Sequence, residues 1–244
     1  MDPPTYLGHL RADGKRLADV ADGRLDLPVP SCPGWSVADL VVHTGAVFGH
    51  KTGVLLSGSL EAPGAMGPRP EPGEDVVAWY RRQLAELVAA LAATPPDRPI
   101  WTWYPPVQAT RFWYRRMAQE AVVHRLDAEQ AAGTPQPIDP GLAVDGVDEV
   151  LTVFLVTERK GQDVGGRGQT IEVSADGRAW TIVLEPRRVT VDGRQGVGVG
   201  LRVSGAPAPV LCWLWGRDGD GAVTIDGDPD LLGLLRTNLV AATG

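Results

Sequence analysis

Apolar residues recur at helical spacing through the first half of the chain and at alternate positions through much of the second. Leu7, Leu10, Leu17 and Val20 share one face of a helix predicted from about Thr5 to Ala21. After Cys32-Pro33-Gly34-Trp35, Ser36 is a good N-cap. Asp39 three residues on makes a capping box, with Asp in place of the usual Glu. Leu40, Val41, Val47, Phe48 and Val54 then carry an apolar face to about Leu55. Val76, Val77, Tyr80, Leu84, Leu87, Val88 and Leu91 predict a third helix over 74–93, which Pro95 and Pro96 stop. A fourth helix is predicted over 110–132, with Gly133 as its C-cap. Four helices of this length, joined by Pro-rich loops at 59–73 and 94–109, predict a four-helix bundle over residues 1–134.

The pattern changes after Gly133-Thr134-Pro135-Gln136-Pro137. One helix is expected over 140–157. Short alternating runs follow at 170–174, 180–185, 188–191 and 198–203, parted by turns such as Ala175-Asp176-Gly177 and Val191-Asp192-Gly193. A helix over 210–215, a strand over 222–225 and a last helix over 229–240 complete the reading. Residues 138–244 therefore read as a small α+β domain with an antiparallel sheet, and the whole chain as α+β with two domains. Glycine density makes 161–168 a mobile loop by composition.

Composition narrows the function classes. The 244 residues suffice for one large domain or two small ones. A net charge of -7 disfavours general nucleic-acid binding, which needs a basic face, yet leaves room for a local Arg to hold a small acidic substrate. With only Cys32 and Cys212, no disulfide framework holds the fold. The first residues lack a signal-peptide core, and no run approaches a membrane span. A cytoplasmic, reduced setting is expected, with no membrane or nucleic-acid partner, and a monomer or homodimer as the assembly. Arg far outnumbers Lys, which fits a GC-rich genome. No Walker loop, G-x-G-x-x-G or H-E-x-x-H occurs, and the glycine run at 196–200 lacks the helix a phosphate cradle needs.

Candidate chemistry concentrates on the second and fourth helices. Glu120 and His124 stand four residues apart, on the side that carries Trp113 and Met117 and hence faces inward. His43 shares its face with Leu40 and Val47. Two imidazoles and a carboxylate turned into a bundle need partners, and one divalent metal would satisfy all three with coordination positions left open. Hydrogen-bonded core histidines are the alternative, and spacing alone leaves both readings open. His50 lies near the same face as His43, as a substrate-facing group or a satisfied partner. Asp127 can orient a ligand or form a plain ion pair. Cys32 reads as a packed thiol in a tight turn, because no adjacent cation would lower its pKa. Trp35 is expected at the bundle mouth. Trp101, Trp103 and Tyr104 line a pocket or cover the core. His9 reads as structural or solvated. Arg217, at the end of an apolar helix, is either a solvated C-terminal cation or a carboxylate clamp.

The run VPSCPGWSVADLVVHTGAVFGH (29–50), with WYRRMAQEAVVHRLDAE (113–129), resembles the mycothiol-dependent maleylpyruvate isomerase family, within the DinB-like metal-dependent bundles. The resemblance places a metal-binding His after PGW-x-V-x-D-L, at His43. It places a Glu and a His one turn apart in E-x-x-x-H-R-x-D, at Glu120 and His124. VDGVDEVLTVFL (144–155) and LCWLWGRDGDGAVTIDGDPDLL (211–232) resemble the family's C-terminal domain, related to sterol-carrier folds, in which an Arg is implicated in activity, here Arg217. The resemblance implies a divalent metal, expected to be zinc, and a low-molecular-weight thiol, mycothiol, which these proteins accompany in actinobacteria. It implies a thiol-using isomerase or S-transferase acting on a small carboxylate-bearing electrophile. The rival expectation is a non-catalytic module that binds a small ligand or a protein and keeps a structural or vestigial metal site.

Overall fold

The computed structural model describes residues 1–64, 67–193 and 196–243; residues 65 and 66 of the predicted 59–73 loop lie outside them. The chain is α+β and divides into two compact units, Met1–Gln136 and Pro137–Gly244.

The first unit is built on four helices: α1 (Pro3–Ala21), α2 (Val37–Ser57), α3 (Val76–Ala93) and α4 (Arg111–Ala132). α1 packs chiefly on α4, and α2 on α3. The capping box forms: Ser36 Oγ accepts from the Asp39 amide at 3.2 Å, and the Ser36 amide donates to Asp39 Oδ2 at 2.9 Å. It satisfies two otherwise orphaned amides and fixes where α2 begins, six residues before His43. α3 begins at Val76, the first residue of its apolar stripe and two residues after the predicted start, because Asp75 caps it by accepting from the amides of Val77 and Ala78. α4 ends on Gly133 in the left-handed region, φ 69°.

α4 departs most from an ordinary amphipathic helix. Its residues from Phe112 to Glu129 are nearly all buried, including Arg116, Gln119, His124, Arg125, Asp127 and Glu129. Periodicity assigns such polar positions to solvent. Here the polar flank is covered too, and ion pairs make its burial tolerable.

The second unit opens with α5 (Pro140–Glu149). The predicted helix over 140–157 is interrupted: Val150–Leu155 forms π-helical turns before α6 (Val156–Glu158). Thr152 Oγ1 donates to the carbonyl of Asp148 at 2.6 Å, a back-bond that competes with the regular ladder. A five-stranded sheet follows, from β1 (Gln169–Ala175), β2 (Arg178–Glu185), β3 (Arg188–Asp192), β4 (Leu201–Gly205) and β5 (Thr224–Gly227), in the order β3-β2-β1-β4-β5. It is mostly antiparallel, but β1 pairs parallel with β4, Val173 opposite Val203, so the sheet is mixed. Ile171, Val173, Ala175, Trp180, Ile182, Leu184, Leu201 and Val203 alternate inward to form its core face. α7 (Pro207–Leu214) and α8 (Pro229–Thr243) complete the unit.

The 161–168 segment is more tightly held than its glycines imply. The amides of Gly161, Val164 and Gly168 donate to the carbonyls of Arg187, Pro186 and Leu184, and Asn238 Nδ2 donates to the carbonyl of Val164. Among the described residues, no helix is long and apolar enough to cross a membrane.

Candidate metal centre

α2 and α4 bring His43, Glu120 and His124 together. His124 Nε2 lies 3.3 Å from Glu120 Oε1, His43 Nε2 lies 3.6 Å from the same oxygen, and one donor atom from each residue falls within 4.8 Å of the others. The 3.6 Å separation is too long for a hydrogen bond. A tetrahedral zinc ion, with bonds of 2.0–2.2 Å, holds its donors roughly 3.3–3.6 Å apart. The two measured separations fall in that range, so the residues fit a divalent ion.

The orientation of His124 is set from behind. Its Nδ1 faces Asp127 Oδ2 at 2.9 Å, and Ser31 Oγ donates to Asp127 Oδ1 at 2.5 Å. With Nδ1 engaged by a carboxylate, Nε2 is the atom turned to the triad. Asp127 thus takes the orienting arrangement rather than that of a surface ion pair. Its partner Ser31 sits in the turn before α2, where sequence reading passed over it. Arg116, one turn before Glu120, donates Nη2–H to Glu120 Oε2 at 2.8 Å and leaves Oε1 to the imidazoles.

Electrostatics follow from this packing. Burial alone would raise the Glu120 carboxyl, but the charge and hydrogen bond of His124, the His43 contact and Arg116 hold it well below the usual range. Burial alone would lower His124; Glu120 and Asp127 instead raise it to about 9. Without a metal, the pair rests as imidazolium and carboxylate.

The triad borders open space. Side-chain exposure rises from 11% at His124 and 14% at Glu120 to 41% at His43. His43 lines a cavity of about 1000 Å³ together with Trp35, Val47, His50 and Lys51. Trp35 stands at its rim, its ring 5.0 Å from that of His43. Gly67, also in the cavity lining, packs directly on α2: a Cβ there would lie 1.9 Å from the carbonyl oxygen of Ala46. His50 faces the cavity, its Nδ1 3.0 Å from Lys51 Nζ, and burial foremost, then Lys51, lowers its pKa. The absence of hydropathy contrast around Lys51 gave the sequence no sign of its place here.

Other candidates fall elsewhere. Cys32 is half-buried, in a turn closed by its amide donating to the carbonyl of Val29, and forms no disulfide. Trp103 and Tyr104 pack on Phe112, and Trp101 on Trp113. His9 is half-buried on α1. In the second unit, Arg217 follows α7; its Nη1–H donates to the carbonyl of Trp215 at 2.8 Å.

A histidine–carboxylate triad in a four-helix bundle, joined to a mixed-sheet α+β unit, defines a class of potential metal-binding bundle proteins. Residues 7–129, more than half of the chain, match the family model described as the mycothiol maleylpyruvate isomerase N-terminal domain, and the chain belongs to that family. The crystal structure of the mycothiol-dependent maleylpyruvate isomerase shares the fold, with a TM-score of 0.65, 13% identity and 93% of each chain covered. A mutant of that enzyme gives a TM-score of 0.64 at the same identity and coverage. No curated protein matches the chain.

Proposed function

We propose that this chain is a divalent-metal-dependent enzyme that uses a low-molecular-weight thiol, mycothiol by its family, to isomerise a small electrophile or to transfer the thiol sulfur onto it. The observation that carries the reading is the convergence of donor atoms from His43, Glu120 and His124, with His43 in a cavity wall and Asp127 on the far nitrogen of His124. When bound, the metal, expected to be zinc, would supply Lewis acidity that keeps an external thiol ionised near neutral pH.

The chain's own groups set the rest. His43 and His124 present Nε2, Glu120 presents Oε1, and Arg116 takes the other carboxylate oxygen. The cavity leaves room for a thiol and an acceptor. In an isomerisation, the thiolate sulfur forms a bond to one carbon of a conjugated cis double bond, and the π electrons move onto the carbonyl. Rotation about the resulting single bond and expulsion of the same thiolate return the trans alkene. A transferase would protonate the adduct instead and keep the sulfur. Arg217 is the carboxylate-binding candidate of the second unit, a reading that rests on the family resemblance.

Metal analysis of the purified protein beside His43→Ala and Glu120→Ala tests the proposal. Stoichiometric metal in the wild type and its loss in both variants are expected. Full metal in both variants rejects the ligand set. Chelation should abolish thiol-dependent turnover of cis-unsaturated keto acids, followed by mass spectrometry and isomer analysis. Chelation that lowers only the melting temperature points to a non-catalytic binding module.

A further inference from the structure

Lys51 is a half-buried ammonium on the cavity wall. Its Nζ stands 4.6 Å from the ring centroid of Trp113 and 5.7 Å from that of Trp101. Its one hydrogen-bonding partner among the described residues is Nδ1 of His50, at 3.0 Å, and no described carboxylate lies within ion-pair distance. Asp39, which also lines the cavity, is occupied by the amide and hydroxyl of Ser36. An ammonium has three N–H donors, so two remain for a ligand. Indole faces offset part of the desolvation of a cation but accept no strong hydrogen bond. A cation so placed has hydrogen-bonding capacity left for an anion from solution.

We infer that Lys51, steadied by His50, Trp101 and Trp113, is the seat for a carboxylate of the acceptor in the same cavity that His43 lines. The link of the seat to catalysis rests on the proposed thiol chemistry; the binding of a carboxylate there does not. Helical Cα–Cβ bonds lean toward the N-terminus, so the Lys51 side chain runs back along α2 toward His43. Burial foremost lowers its pKa to about 8, and Glu120 raises it in opposition, which agrees with a position near the triad. A short molecule can therefore place a carboxylate on Lys51 and an electrophilic carbon at the triad.

The test uses succinate, an unreactive dicarboxylate, and its neutral counterpart succinamide, titrated into the full-length protein. The indole N–H resonances of Trp101 and Trp113 report binding, in the protein as purified and after chelation. Succinate should shift both and succinamide neither. Lys51→Met should weaken succinate at least tenfold in both forms, while Lys51→Arg should stay within threefold of wild type and metal content should stay unchanged. Equal binding by wild type and Lys51→Met, indifference between succinate and succinamide, or a response that vanishes on chelation would each overturn the seat. Failure of the His43→Ala and Glu120→Ala metal test would leave this result standing, so the two readings fail separately.

Discussion

Glu120 and Glu129 sit on one helix, yet their surroundings differ completely. Nine residues at about 100° each place them on opposite sides of α4. Glu129 is fully buried and saturated: Arg125 Nη1–H, Arg16 Nε–H and the amide of Gln136 all donate to it, at 2.8, 2.9 and 2.9 Å, and Asp13 lies 2.9 Å from Arg125 Nε. Glu120 has one guanidinium on Oε2, while two imidazoles face Oε1 at distances longer than good hydrogen bonds, beside a cavity. A closed cluster holds a helix in place; one with an unfilled centre can hold something else. The same residue chemistry serves both, and what separates them is whether every lone pair already has a donor.

Breaking the closed side should have the largest effect. Glu129→Ala leaves Arg125 buried with one partner fewer and is expected to destabilise the protein by about 3–5 kcal/mol, read by urea unfolding. Glu120→Ala should cost clearly less stability in metal-free protein, and an equal loss would erase the distinction between the two sides. Next comes Asp127→Asn, which keeps the shape but removes the carboxylate behind His124. Metal affinity should fall about 10–100-fold in a competition titration, with the melting temperature of the metal-free form nearly unchanged.

The pH response is subtler. The raised His124 pKa stabilises metal-free protein fully below the unfolded value of 6.5 and ceases to do so as the pH climbs through about 9. The depressed Glu120 pKa contributes above its unfolded value of 4.5 and is lost as the pH falls through its folded value. Metal-free protein should therefore lose stability on both flanks of this window, and His124→Gln should flatten the alkaline one, as measured by thermal melts. Metal uptake needs the neutral imidazole, so it should release a proton and tighten as the pH rises toward 9. The smallest effect is expected at Ser31→Ala, which removes one hydrogen bond to Asp127 and should weaken metal binding by less than Asp127→Asn does.

Local signals were legible in the sequence. Ser36 and Asp39 announced the start of α2, and helical spacing put Glu120 and His124 on one side. His43 faced inward by its company with Leu40 and Val47. Long-range features were not. Nothing within β1 or β4 marks their parallel pairing, since alternation is the same for either direction. The π turns at Val150–Leu155 keep an apolar composition that reads as plain α-helix. Around α4, periodicity assigns Arg125 and Glu129 to solvent, because their burial depends on Arg16 and Asp13, more than a hundred residues earlier in the chain. Lys51 looked like an ordinary lysine next to His50; only the fold sets it over two indoles from a loop and a helix that follow much later.

The close seat of Gly67 on α2 has a practical bearing on what the cavity admits. The obstacle to a side chain there is the carbonyl oxygen of Ala46, part of the helical backbone, which no rotamer change can move aside. Any larger residue at 67 must therefore lift the segment it belongs to away from α2. A methyl group there would also come within 3.0 Å of the His50 Cβ, so a change at 67 reaches the cavity lining through α2 itself.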